Sequence, residues 1–425
     1  MRIRRSETAW RLPIVQNSVA LFVILTFAST PGVSAQDVTP TGGGYQVTEI
    51  ARGHSWVSPY WGYSTPKLVY DGKAYYTAVL WGDSPDSSEG VLYKFENGAW
   101  RAGARLPGIY QPATLLLDPK GRVLVAYTRS EKPAAFLRSK IPGSIDDLES
   151  VAAPADMPNA YYLGWALRER TVSLAYLTAP AYTMYLTTLD LATLTWTPSA
   201  RIREGQVETK PKTAWTYPIL VPSADGLHLV ASNCPDGGEG NTYNEVWHQF
   251  YPAGAMKPAR EEKVADAPVG HNAYAMDMLL DNAGWAHIVF MWNVRKYGEP
   301  LPEGSPPPGT YHAWRDPKTG TWERRYLSSL CIAGLVEDGG HVLAVTQQNG
   351  AVFPLEWQRE TKVWKTLPPL CSAQQIPAGP SFMDVISPAS GSAVPGLALV
   401  SDGMLPEVSG KRAERVVWAI LPADR

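Results

Sequence analysis

The side chains best suited to chemistry in this chain are aromatic and cationic residues gathered in five long, turn-rich segments. These are Arg52–Thr65, Arg203–Thr216, Ser232–Glu245, Ala265–Ala275 and Met291–Gly309. They carry Trp56, Tyr60, Trp61, Trp215, Asn272 and Tyr297, together with His54, Lys212 and Arg295. Flat rings beside cationic donors suit an acidic polysaccharide or oligosaccharide: sugar faces stack on the rings, and carboxylates or sulfates seek Arg and Lys. The competing reading of any one ring is ordinary burial within its loop. A second chemistry, glycoside hydrolysis by two carboxylates facing one channel, has Asp277 and Asp384 as its best pair, although each can simply bond a neighbouring backbone. Metal binding has little support. There is no His-x-x-x-His and no paired Cys, and the one oxygen-rich candidate is Asp236–Thr242. No glycine loop leads from a strand into a helix, so no cofactor is expected.

Composition points to the elements that must hold these residues. Only 18% of the chain is charged, while it contains 36 Gly, 37 Pro, 16 Trp and 21 Tyr, a profile of short strands, tight turns and aromatic packing. One pattern recurs, an apolar strand, a turn and a second apolar strand: Lys67–Trp81, Ala113–Thr128, Tyr161–Leu177, Tyr217–Ser232, Ala275–Met291, Ile332–Thr346 and Phe382–Ser401. Gly72, Gly121, Gly226, Gly284, Gly340 and Gly391 mark six of the turns, and Arg168-Glu169-Arg170 takes the third. The copies lie roughly 50 residues apart, which fits a four-stranded sheet with its loops. The expected fold is therefore all-β, a seven-bladed β-propeller.

A second hairpin follows several copies, at Val91–Arg101, Met184–Thr197, Tyr311–Glu323 and Phe353–Lys365, and Trp100, Trp196, Trp322 and Trp364 occupy one equivalent place in it. Indoles there are expected to fill the space between blades. The last copy is followed by a single strand, Arg415–Leu421, whereas an unassigned strand, Tyr45–Ala51, precedes the first. The N-terminal strand is expected to complete blade seven and close the ring, hiding edges an open sheet would expose. Within this frame Tyr217 and Tyr274 enter the inner strands of blades four and five and are placed to face the channel. His228, His248, His287 and His312 fall inside strands and read as structural. Cys331 and Cys371 take matching places ahead of the inner strands of blades six and seven, which makes a disulfide between them an even choice and leaves Cys234 free.

The chain opens with Arg2, Arg4, Arg5 and Arg11, then the apolar run Val19–Phe27, then small residues at Val33 and Ala35. This order describes an export signal over residues 1–35, followed by a flexible lead-in at 36–44 and the propeller at 45–425. The apolar run falls well short of the ~20 residues a spanning helix needs, so no membrane span is expected in the mature chain. The signal takes four Arg and one Glu with it, which moves the formal charge from −2 to about −5. That balance argues against nucleic acid as a partner. The expected location is extracellular or periplasmic.

Gly270–Met291 resembles the His-Asn…Gly-x-x-His unit of the BNR-repeat, sialidase-like propellers, the group that includes the propeller-type ulvan lyases. The turn Asp316–Trp322 is similar to a degenerate Asp box of the same group, where it is structural. The three arginines, Arg-Ile-Pro entry and Tyr–Glu pair of the sialidase branch are not found, so sialidase activity is not expected. The resemblance implies a β-eliminating lyase of uronate-containing polysaccharide, in which His and Tyr act as base and acid and a cation stabilises the enolate-like charge. It would place the base at His271, with His54 as the other choice, the acid at Tyr217 or Tyr274, and the cation at Arg295 or Lys212. His271 can equally be a strand-entry residue bonded to backbone. A non-catalytic glycan- or protein-binding propeller remains the alternative, because fold alone does not separate the two.

Overall fold

The computed structural model describes residues 44–423, apart from 62–64, 130–131, 179–181, 207–212, 236–242, 269, 296–299, 330–333, 349, 377–381, 394–395 and 406–412. The expected signal and all of the lead-in but Gly44 lie outside these residues. Seven antiparallel sheets follow one another in chain order. Their innermost strands are Leu68–Tyr70, Thr114–Leu117, Ala160–Arg168, Ala214–Pro222, His271–Leu280, Gly334–Asp338 and Phe382–Val385. Each overlaps one of the seven sequence copies, so the chain is a seven-bladed β-propeller. Among the described residues the helices are short 3-10 turns, and none is long and apolar enough to cross a membrane.

Blade seven holds the closure. Its order runs Tyr45–Gly53, Arg415–Pro422, Leu399–Met404, Phe382–Val385, and the N-terminal strand is outermost. The pairing extends from Tyr45 opposite Pro422 to Gly53 opposite Arg415. Trp100 of blade one donates from Nε1 to Thr48 Oγ1 at 2.9 Å, so the clasp is also held from the next blade.

Local chemistry explains the turns. Asp71, Asp118 and Asp281 each accept two backbone N–H groups on Oδ1, which fixes the inner hairpins of blades one, two and five. In blade three Glu169 adopts the left-handed conformation (φ +54°) that glycine takes elsewhere. Gly226 serves a different need: a Cβ there would lie 2.0 Å from the Tyr251 carbonyl oxygen. The Asp box-like turn forms as well, with Asp316 Oδ1 accepting from Lys318 N at 2.8 Å and Asp316 O from Gly320 N at 2.8 Å.

Between blades the core consists of apolar faces in contact, and the equivalent tryptophans sit there. Trp196 donates to Ala152 O of blade two at 2.6 Å, Trp322 to Glu262 of blade four at 2.9 Å, and Trp364 packs on His312 of blade five with centroids 4.9 Å apart. Blades four and five share a further device. His228 Nδ1 lies 2.9 Å from His248 Nε2, and His287 Nδ1 lies 3.0 Å from His312 Nε2, in matching strand positions. His248 continues to Glu262 at 3.4 Å, and His287 to Asp281 at 3.4 Å. A carboxylate only accepts, so His248 carries its proton on Nδ1 and accepts from His228, while His287 accepts from His312. Burial holds the pKa of His228, His248 and His312 below the ordinary imidazole value.

The inner hairpin of blade seven crosses the axis. Its 3-10 turn, Pro388–Ser390, meets the innermost strands of blades two, three and four. A Cβ on Gly391 would stand 2.3 Å from Leu117 O and 2.6 Å from Leu167 Cδ2, so only glycine fits. Leu117 and Leu167 lie near the C-terminal ends of their strands. One expectation needs correcting. The long segments of blades four and five are partly strand: Trp215 and Thr216, Ser232–Cys234, His271–Ala275 and Met291–Arg295 prolong strands instead of looping. Cys371 and Cys234 are buried, and burial raises the Cys371 pKa to about 11. Cys331, and with it the possible bridge to Cys371, lies outside the described residues.

Candidate functional site

The open end of the channel is built where the innermost strands begin. In blades three, four and five the ladder is irregular there, between Ala160 and Leu163, Thr216 and Ile219, and Asn272 and Tyr274. Such bulges re-aim side chains. Tyr217, in the second of them, is held at φ +51°, a strained conformation for a bulky residue. The outcome is a belt of rings. Tyr110 meets Tyr161 (5.9 Å between centroids), Tyr161 meets Tyr162 (4.7 Å), Tyr162 meets Tyr217 (4.9 Å), and Tyr217 meets Tyr274 edge-on (6.0 Å). Tyr243 packs against both Tyr217 and Tyr274. Trp56 rests on Tyr110 at 5.8 Å and Trp61 on Tyr162 at 6.1 Å. Burial raises the pKa of Tyr161, Tyr162 and Tyr243 far above the phenol value, so these hydroxyls stay protonated.

A narrow cleft opens beside this belt among blades one to four, with Trp61, Lys67, Gln111, Thr128, Tyr162 and Tyr217 in its lining. Lys67 is 2% exposed and its ammonium donates to Thr65 Oγ1. Burial lowers its pKa, against the opposing pull of Asp384. Deeper in the ring, Asp384 Oδ2 accepts from Lys67 N at 2.7 Å, and Asp277 Oδ2 accepts from Leu335 N at 2.8 Å. Each carboxylate ties its blade to the next. Burial raises both pKa values, that of Asp277 to about 7, where the backbone bond from Leu335 opposes the rise and the charge of Asp384 adds to it.

His271 opens the innermost strand of blade five, 2% exposed, and among the described residues neither ring nitrogen has a hydrogen-bond partner. Its backbone register partner is Arg295. The Arg295 side chain, Lys212, Tyr297 and the Asp236–Thr242 loop lie outside the described residues. His54 is exposed on the loop before blade one. Tyr60 is buried between blades seven and one, its hydroxyl 3.1 Å from Thr77 Oγ1. Trp215 is buried beneath Arg203, whose guanidinium stands 5.1 Å from the ring centroid. Asn272 Oδ1 accepts from Tyr243 N at 3.0 Å and so holds one member of the belt. Trp56, half-buried, donates to Ser88 Oγ at 2.8 Å. Of the expected site residues, the structure thus gathers Tyr217, Tyr274, Trp56 and Trp61 in one ring belt. Sequence reasoning missed Lys67, Gln111, Tyr110, Tyr161, Tyr162 and Tyr243. The signal for some was present: Lys67 and the Tyr161-Tyr162 doublet open their copies where Tyr217 opens the fourth. No group of three or more potential metal ligands occurs among the described residues.

No protein-family model matches the chain, nor does any curated protein. Solved structures do. One described as a new family of polysaccharide lyase, an ulvan lyase, superimposes with a TM-score of 0.58 at 12% identity, over 83% of this chain and 92% of that one. The same description with a bound glucuronate and sulfated rhamnose saccharide gives 0.57 at 12% identity, over 83% and 93%. The polysaccharide lyase Uly1 gives 0.60 at 9% identity, over 88% and 92%. At these identities the likeness establishes the propeller fold.

Proposed function

We propose that this chain is an exported carbohydrate-active propeller of the BNR-repeat type, a lyase that cleaves uronate-containing polysaccharide by β-elimination. The observation that carries the reading is His271, buried at the start of the innermost strand of blade five with both ring nitrogens unpartnered among the described residues. A buried imidazole left without a bond implies a partner that arrives with a ligand. In the reaction the His271 imidazole takes the proton from C5 of the uronate. The released pair forms the C4–C5 double bond, the C4–O bond breaks, and the leaving oxygen takes a proton from the hydroxyl of Tyr217 or Tyr274. The tyrosine belt supports sugar stacking, and the lyases of like fold support the class. The test is incubation with a panel of uronate polymers while following absorbance of the unsaturated product. His271→Gln should abolish that signal with an unchanged melting temperature. No product from any polymer overturns the proposal, and so does full activity in the variant.

One observation favours a second reading, a non-catalytic glycan-binding propeller: His271 is absent from the lining of the cleft that holds Lys67. Binding of a polymer that is never cleaved would establish it. The hydrolase reading loses support, since Asp277 and Asp384 each spend an oxygen on the neighbouring blade.

A further inference from the structure

Lys67 stands out among the buried charges of this protein. An ammonium taken out of water is normally paired with a carboxylate, because the cost of stranding it is several kcal/mol. Arg415 obeys the rule: 7% exposed, it binds Asp402 Oδ2 at 2.8 Å. Lys67 is held more loosely. Its ammonium has three donors, bonds Thr65, and feels the charge of Asp384 without an ion pair to it among the described residues. Asp384 directs its Oδ2 to the Lys67 backbone N–H.

Two more polar groups on the same cleft are also unsatisfied. Among the described residues, Gln111, 7% exposed, has no partner for its Nε2, and Thr128, 2% exposed, has none for its Oγ1. Lys67 thus shares with Gln111 and Thr128 one concave wall, bordered by the rings of Trp61, Tyr162 and Tyr217. Three donors left open around an apolar-walled cleft match a group with several acceptor oxygens and negative charge. We infer that the cleft between blades one and four is an oxyanion pocket, in which Lys67, Gln111 and Thr128 hold the carboxylate or sulfate ester of a sugar whose ring lies against Trp61 and Tyr162. The sugar part of this inference rests on the carbohydrate reading above. The anion part does not, and it assigns acidic-group recognition to a cation in blade one, apart from the catalytic assignment at His271 in blade five.

The experiment is calorimetric titration of the full-length mature protein with three probes: a uronate trisaccharide, the same trisaccharide with its carboxylates reduced to hydroxymethyl groups, and a neutral trisaccharide bearing one sulfate ester. At least one acidic probe should bind, and the reduced probe should bind at least tenfold more weakly. Preference between the two acidic probes identifies the group. Lys67→Met should weaken acidic binding at least tenfold and leave the reduced probe unaffected. Its ligand-free melting temperature reports separately on the electrostatic link to Asp384. Equal binding of acidic and reduced probes overturns the inference, as does acidic binding that survives in Lys67→Met. Lyase activity is read separately: an absent elimination product with intact acid-selective binding refutes the catalytic proposal alone.

Discussion

Acidification should destabilise this propeller through its paired histidines, and His228 allows the size of the effect to be worked out. Its ring is 9% exposed, bonded at 2.9 Å to His248, and burial with the neighbouring imidazole lowers its pKa to about 3 against an ordinary 6.5. A folded pKa below the unfolded one means the stabilising contribution is complete above the unfolded value and is lost as pH falls. At about pH 4.5 the unfolded chain has bound the proton while the native chain still excludes it. Two pH units below the unfolded value at about 1.4 kcal/mol each give a loss of about 3 kcal/mol. That is a large share of the ~5–15 kcal/mol by which a folded domain is usually held. The assay is urea unfolding near pH 7.5 and near pH 4.5, for wild type and for His228→Gln, which keeps a neutral donor toward His248 but does not titrate. The variant should lose about 3 kcal/mol less than wild type between the two conditions. Equal losses would refute the reasoning, because His228 would then accept its proton inside the fold.

Three further outcomes are expected. Asp402→Ala leaves Arg415 buried without its carboxylate and takes the bond from Ser58 Oγ as well, so unfolding should cost about 3–5 kcal/mol less; a loss under about 1 kcal/mol would contradict the pairing. Asp277 has a raised pKa of about 7, so its stabilising contribution is present at low pH and is lost as pH rises through neutrality. Asp277→Asn should therefore flatten the melting-temperature profile between about pH 5 and 8, and an unaltered profile would count against a protonated Asp277. Removal of the strand Tyr45–Gly53 bares the edge Arg415–Pro422 and takes Thr48 from the Trp100 indole. Size-exclusion chromatography should then show concentration-dependent self-association with altered tryptophan fluorescence, whereas an unchanged monomer would show the clasp to be dispensable.

The blades were legible because each copy repeats one physical requirement, two apolar strands about a turn that only a few residue types permit. The four equivalent tryptophans were legible for the same reason, since an indole entering the last strand has nowhere else to go but the neighbouring blade. The mouth was harder. Trp215, Ser232 and His271 belong to prolonged strands buried at most positions, so they lack the alternation that marks a half-exposed strand. The bulges that turn Tyr162 and Tyr217 toward each other depend on backbone slips of one or two residues, which composition does not encode. Lys67 looked like a boundary residue between a loop and a strand. Only the packed ring shows that its ammonium is enclosed.

The hairpin of blade seven that crosses the axis has a mechanical consequence. With Gly391 pressed on Leu117 and Leu167 and the turn before it against blades two, three and four, non-neighbouring blades are fastened to one another at a single point. A ring held only by contacts between adjacent blades can open at any one of its seams, whereas here a seam that parts must also pull this turn from three other strands. A side chain at Gly391 would therefore loosen four blades together and not one.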